Sequence, residues 1–327
     1  MKKGYKILII TALFISGLSF TAWNVFNYYW RTQGTVNTFS TFTEPEALSF
    51  SKIKWVEDSF GTFKTDISAF FIKVELNGVD DSFYMQFDTG TSQTLFYGKT
   101  LHALKAKHPS FEPVESQSGN YWLKSPVLKI GDLNFGARDL LVKADLGSEE
   151  IDPSFTIIGT IGFDAIVGRK LILDFKNNQL TITNKDINKL NYIFKPLEGA
   201  SLDRFPILIP AEVDGEDVQL LYDTGSSMFP LIVDNQKLLH IENAGRTDTL
   251  CCTTSWGKSY DFYRRKLNTD IKIGNLVEKQ PYVYSSKSMD QYDYFPNWLT
   301  MGIAGNHMFI DKILLIDTQN NIFGICD

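Results

Sequence analysis

Apolar and polar residues alternate in short runs, and the runs come in pairs. Residues 70–76 set Ile72, Val74 and Leu76 between Lys73 and Glu75, a strand pattern. Asn77-Gly78 then marks a hairpin turn, and residues 82–87 return as a second strand. The same order recurs later in the chain. Residues 207–213 read as a strand, Asp214-Gly215 as a turn, and residues 218–222 as the returning strand. Towards the end of each copy, residues 163–168 and 306–311 predict short helices. Residues 171–175 and 313–317 predict strands, each followed by an Asn-Asn turn and a last strand.

The repetition extends to individual residues. Residues 158–178 align with 301–321 without a gap, so that Gly159 falls on Gly302, Gly162 on Gly305, Asp174 on Asp317 and Asn177-Asn178 on Asn320-Asn321. Lys129-Ile130-Gly131 falls on Lys272-Ile273-Gly274 in the same register. An internal repeat of this kind predicts two structural units of one design. The second copy is about eight residues longer upstream of this block, a loop-sized difference. Residues 184–202, mixed and polar with Pro196 and Gly199, read as the link between halves.

The first residues follow another pattern. Lys2, Lys3 and Lys6 precede an uncharged stretch from Ile7 to Trp30, long enough to span a bilayer as a helix. The lysines favour a cytoplasmic N-terminus, and Trp23, Tyr28, Tyr29 and Trp30 would form an aromatic belt at the far interface. The segment reads as an uncleaved anchor, with the body on the non-cytoplasmic side. The rival reading is a signal peptide cleaved after Ser19, which would release a secreted protein. Residues 32–46 read as a flexible stalk.

The chain has 327 residues, 43% of them hydrophobic and 21% charged, which suits a globular body of two units. A net charge of −6 and the lack of a long basic run argue against nucleic acid as a partner. Cys251, Cys252 and Cys326 lack metal-ligand spacing, and they read as buried thiols, with a pairing to Cys326 left open. The four histidines form no His-Glu-x-x-His, and there is no Gly-x-Ser-x-Gly elbow. No metal and no cofactor are expected.

Candidate chemistry sits at the end of each returning strand. Asp88-Thr89-Gly90-Thr91 follows the first, and Asp223-Thr224-Gly225-Ser226 follows the second. One Asp-Thr-Gly is an ordinary turn. Two, at equivalent points of a duplicated unit, can bring two carboxylates together. Carboxylates held ~3 Å apart share a proton, because both cannot ionise. The ionised partner can then take a proton from water while the protonated one donates to a carbonyl. Asp174 and Asp317 also repeat, but beside Asn-Asn turns they read as turn caps.

These motifs resemble the pepsin-like and retroviral-type aspartic proteases, and the resemblance covers the body from about residue 65. It implies a mainly β, bilobed acid-protease fold of two pseudo-symmetric, barrel-like lobes with a few short helices, besides the N-terminal transmembrane helix. The expected organisation is an anchor or signal segment (1–31), a stalk and leading strand region (32–64), a first lobe (65–198) and a second lobe (199–327). Asp88 and Asp223 are the implied catalytic pair. Thr89 and Thr224 are implied to bond across to the opposite loop, Gly90 and Gly225 to allow the turn, and Thr91 and Ser226 to bond the outer carboxylate oxygens. The family's second signature, an apolar-apolar-Gly strand packed behind each loop, matches Ile157-Ile158-Gly159 well. It matches Thr300-Met301-Gly302 less well, because Thr300 replaces an apolar residue. Flap candidates are Tyr121 and Trp122, beside Gly119, and Trp256, beside Gly257; ordinary hairpins are the equal alternative. The implied activity is that of an endopeptidase, acting on peptide or protein substrates as a monomer, because both lobes lie in one chain. The alternatives are a peptide-binding module of the same fold that does not cut, and a carboxylate-pair glycosidase. The latter needs its carboxylates ≈ 5 Å or more apart, and the Thr-Gly-Ser/Thr context does not suggest it.

Overall fold

The computed structural model describes residues 36–60, 63–111, 113–115, 119–234, 248–255, 258–286 and 300–327. The expected N-terminal anchor and Trp256 lie outside the described residues. Among those described, no helix is long and apolar enough to cross a membrane.

The chain is mainly β. In the first half the strands are β1 (Phe39–Thr43), β2 (Ser51–Phe60), β3 (Phe63–Leu76), β4 (Ser82–Phe87), β5 (Leu95–Tyr97), β6 (Val114–Glu115), β7 (Tyr121–Lys124), β8 (Val127–Ile130), β9 (Leu133–Ala137), β10 (Asp139–Lys143), β11 (Ile157–Ile161), β12 (Lys170–Asp174) and β13 (Gln179–Thr183). The α-helix among the described residues, α1 (Gly98–Leu104), follows β5. In the second half they are β14 (Lys195–Pro196), β15 (Leu208–Val213), β16 (Glu216–Tyr222), β17 (Leu231–Val233), β18 (Asp248–Ser255), β19 (Lys258–Lys266), β20 (Ile271–Ile273), β21 (Leu276–Glu278), β22 (Tyr282–Ser285), β23 (Gly302–Ala304), β24 (Ile313–Asp317) and β25 (Ile322–Cys326).

The two halves share one topology. The first runs β3-β4-β11-β5-β10-β7-β6 across its sheet, and the second runs β15-β16-β23-β17-β22-β19-β18. Each begins with a hairpin, then adds a parallel strand to its second member: β11 beside β4, and β23 beside β16. The hairpin turns use positive φ at Gly78, and at Asp214 and Gly215, where glycine or a short polar residue avoids the Cβ clash. Among the described residues neither sheet closes into a barrel, so the lobes are open sheets rather than the expected barrels.

The halves meet through β12 and β24. These strands are antiparallel, with Lys170 opposite Asp317 and Asp174 opposite Ile313. Equivalent residues thus exchange places across the pair, which gives a local two-fold relation. β13 and β25 flank the pair as equivalent hairpin partners. Asp174 and Asp317 do cap their turns: Asp174 accepts from Asn177 N at 3.1 Å, and Asp317 from Asn320 N at 3.0 Å. Asn178 and Asn321 take left-handed φ values of 50° and 57° at those turns.

Burial follows the predicted alternation. In β3, Ile72, Val74 and Leu76 are buried while Lys73 and Glu75 are exposed. One apolar cluster runs through both halves, from Phe70 and Phe87 to Tyr222 and Phe309. A smaller one in the second half gathers Phe229, Phe262 and Tyr284. Each large side chain removed from water contributes about 1.5–3 kcal/mol. Cys326 is buried with a free thiol.

Three expectations change. The segment read as a stalk belongs to the fold from Phe39 onward. β1 pairs with β9, Phe39 and Phe42 pack on Phe135 with centroids 5.3 and 4.8 Å away, and Glu44 accepts from Asn184 N at 3.0 Å. Its Thr- and Ser-rich sequence hides this, because only two rings of an otherwise solvated edge strand reach the core. The two predicted helices are shorter, single 3₁₀ turns at Phe163–Ala165 and Asn306–Phe309. The link contributes a strand, since β14 pairs with β25.

Candidate active site

Each Asp-Thr-Gly turn is set by the strand beside it. β4 delivers Asp88, whose N–H donates to Ile161 O at the end of β11 at 2.9 Å. β16 delivers Asp223, whose N–H donates to Ala304 O at the end of β23, also at 2.9 Å. The parallel strand thus holds the backbone of each aspartate. On its other side its glycines allow a close approach to β5 and β17. A Cβ on Gly159 would lie 2.2 Å from Leu95 O, and one on Gly302 would lie 2.2 Å from Ile232 O. The expected loop-packing glycines therefore press on β5 and β17. The residues that press on the aspartate loops are Gly162, where a Cβ would lie 2.5 Å from Gln93 C, and Gly305, where one would lie 1.9 Å from Ser226 O. Their matching positions in the repeat were the available signal.

Thr300, the odd residue of the second strand signature, is 7% exposed. Its hydroxyl lies 3.0 Å from Gln219 O and accepts from Gly302 N at 3.1 Å. A threonine is accommodated there because backbone groups satisfy its oxygen.

The two turns face each other. A Cβ on Gly90 would lie 2.4 Å from Asp223 Cγ, and a Cβ on Gly225 would lie 2.6 Å from Asp88 Cγ. Each carboxyl group thus rests on the bare glycine of the opposite loop. Within its own loop each takes a backbone hydrogen bond: Gly90 N to Asp88 Oδ1 at 2.8 Å, and Gly225 N to Asp223 Oδ1 at 2.7 Å. Burial raises the Asp88 pKa well above 3.8, and the charge of Asp223 and the hydrogen bond between the two carboxyls raise it further. The site therefore retains a proton where a free aspartate would not.

Thr89 and Thr224 lie beneath the carboxyls, fully buried. Thr89 N donates to Thr224 Oγ1 at 2.9 Å, and Thr224 N to Thr89 Oγ1 at 3.1 Å. Their hydroxyls donate onward, Thr89 to Tyr222 O at 3.2 Å and Thr224 to Phe87 O at 2.8 Å.

The next position breaks the symmetry. Ser226 Oγ donates to Asp223 Oδ2 at 2.8 Å, as the sequence implied. Thr91 instead meets Asp88 through its backbone N–H, so the implied hydroxyl bond is replaced there. The second loop has further support. Asn306 Nδ2 donates to Thr224 O at 3.1 Å and to Ser227 Oγ at 2.8 Å, and Tyr222 OH donates to Asn306 Oδ1 at 2.7 Å. The equivalent first-half positions hold the buried rings of Phe87 and Phe163.

Three neighbours escaped the sequence reading. Gln86 Nε2 donates to Gly225 O at 3.4 Å, across the lobe boundary. Thr160 is level with Gln86 in the β11–β4 pairing, and Tyr97 OH lies 2.6 Å from Thr160 Oγ1. Burial pushes the Tyr97 phenol up to about 12, opposed by the bond to Thr160 and aided to a smaller extent by Asp88. Single hydrogen-bonding residues on strand faces leave no mark in a sequence.

Tyr121 and Trp122 begin β7, half-buried, and the bonds that hold them run to β6 and β10. Antiparallel pairing of this kind is common to a flap and to an ordinary hairpin. The counterpart hairpin is β18–β19, whose Trp256 lies outside the described residues. No family model matches the chain, and no curated protein matches it.

Proposed function

We propose that this chain is an aspartic endopeptidase of the bilobed acid-protease fold, hydrolysing peptide bonds with water activated by Asp88 and Asp223. The observation that carries the reading is the reciprocal seating of the two carboxyls, each on the other loop's glycine with a hydrogen bond between them. Such a pair holds one proton between two oxygens. The ionised partner takes a proton from water as it attacks the scissile carbonyl carbon. The protonated partner donates to the carbonyl oxygen. Breakdown of the resulting diol returns a proton to the departing amine and restores the pair. The Thr89–Thr224 bonds and the glycine contacts hold the geometry in advance, where placement to within about 1 Å matters for rate.

The substrate is an extended peptide or protein segment entering between the lobes, and one chain supplies both halves of the site. The lysine-flanked stretch before Trp30 supports tethering to a membrane with the body on the non-cytoplasmic side. The test uses purified full-length protein and an unfolded polypeptide, reduced and alkylated lysozyme. Cleavage by the wild type, lost in both Asp88→Asn and Asp223→Asn with the thermal transition retained, is the expected result. Cleavage that persists in either variant would falsify the assignment.

A further inference from the structure

The halves differ in the strands beside the aspartates. In the β3–β4 pairing Phe71 is opposite Gln86, so continuing the register sets Ala69 level with Asp88. β3 begins at Phe63, six residues earlier. At about 3.3 Å per residue the strand overshoots the aspartate by roughly 20 Å. β2 accompanies it as an antiparallel partner out to Phe60. Among the described residues the second half has no such arm. Leu208, the first residue of β15, is opposite Leu221, and the chain before it folds back to pair Ser201 with Leu208.

The arm crosses to the other lobe. β3 touches the Thr224–Ser226 turn, and β2 touches β18. Phe63 packs against the second-half apolar cluster. The Arg264 guanidinium of β19 lies 5.4 Å from the Phe63 ring centroid and 4.4 Å from that of Tyr282, a cation held between two rings. A free two-stranded ribbon is marginal in water, so docking stabilises the arm. On the arm, Glu57, Asp58, Ser59, Lys64 and Asp66 are exposed.

We infer that the β2–β3 arm walls off one end of the cleft between the lobes and limits how far an extended peptide continues past the scissile bond on that side. The inference rests on the peptidase reading: an element joining both lobes beside the dyad obstructs a chain lying between them. Among the described residues the opposite end has no equivalent arm, so the restriction falls on the side of β2 and β3.

Two variants of the full chain test it. Phe63→Ala unclamps the tip, and replacing residues 58–65 with Asn-Gly removes the arm with a two-residue hairpin turn. Cleavage sites in reduced and alkylated lysozyme are mapped by mass spectrometry, and amide exchange is followed in β18 and β19. The wild type should favour cuts close to one kind of chain terminus over cuts far from it. In both variants internal cuts should rise about tenfold or more, the scale of relieving one steric obstacle. Exchange in β18–β19 should quicken in Phe63→Ala. Cleavage maps that coincide in all three proteins, or unchanged exchange in Phe63→Ala, would overturn the inference while leaving the peptidase standing. Absence of cleavage by all three would overturn the peptidase reading and the inference with it.

Discussion

Thr89 and Thr224 clasp each other across the lobe boundary, each N–H donating to the other's hydroxyl at 2.9 and 3.1 Å. Each hydroxyl then donates into the opposite lobe's strand, to Tyr222 O and Phe87 O. Four backbone groups buried at the interface are satisfied by two side chains. The arrangement fixes the spacing of the aspartates from below, without either carboxyl taking part.

Thr224→Val should therefore be costly despite its similar shape. It leaves Thr89 N and Phe87 O buried without these partners, at about 1–3 kcal/mol each. A loss of roughly 2–5 kcal/mol in denaturant unfolding is expected, together with a fall in kcat. Thr224→Ser, which keeps the hydroxyl, should recover most of the activity. Equal stability of the Val and Ser variants would contradict the clasp.

The pH dependence follows from Asp88. Burial first, then the Asp223 charge and the shared hydrogen bond, hold its pKa above the ordinary 3.8. A carboxyl raised on folding contributes stability at pH values below its unfolded value, and that contribution is lost as pH rises through the folded one. Wild type should thus lose stability relative to Asp88→Asn as pH climbs from about 4. Melting curves across pH measure this, and parallel curves would contradict it. Hydrolysis should fall on the same alkaline side, as the pair loses its shared proton.

Gly90→Ala should abolish cleavage without touching an ionisable group. The added carbon would stand 2.4 Å from Asp223 Cγ, so the loops must separate. Overpacking of this kind costs about 1–3 kcal/mol. An unfolding titration and a cleavage assay on the same preparation should show inactivity in a folded protein. Retained turnover would show that the loops need not approach so closely.

Asp174 provides the contrast. It is fully buried and accepts from Asn177 N, Asn177 Nδ2, Gln179 Nε2 and Tyr192 OH at 2.8 to 3.1 Å. Asp174→Ala should lower stability by about 1–3 kcal/mol through those lost bonds. Turnover per folded molecule should stay within about twofold, since β12 lies in the interlobe sheet and the changes are independent at a distance. A loss of turnover as deep as that of Asp88→Asn would assign Asp174 a part in the chemistry.

The sequence by itself determined the duplicated plan, because hairpin turns, glycines and aspartates are local demands. Gly78, Gly215, Asn178 and Asn321 occupy positive-φ turns that few other residues tolerate, so their pattern is legible before folding. It also determined which aspartates meet, since equivalent residues of two like units fall at equivalent places. Only the tertiary structure decided what surrounds them. Tyr97, Thr160, Gln86 and Asn306 act through partners distant in the chain, and no local rule links them. Phe39 and Phe42 turn a polar segment into a strand because a facing ring, Phe135, is already there. The long β3 is readable as a strand, but its docking on Arg264 depends on where the second lobe sits. Backbone conformation is specified residue by residue, whereas the contacts between two lobes arise only once both have folded.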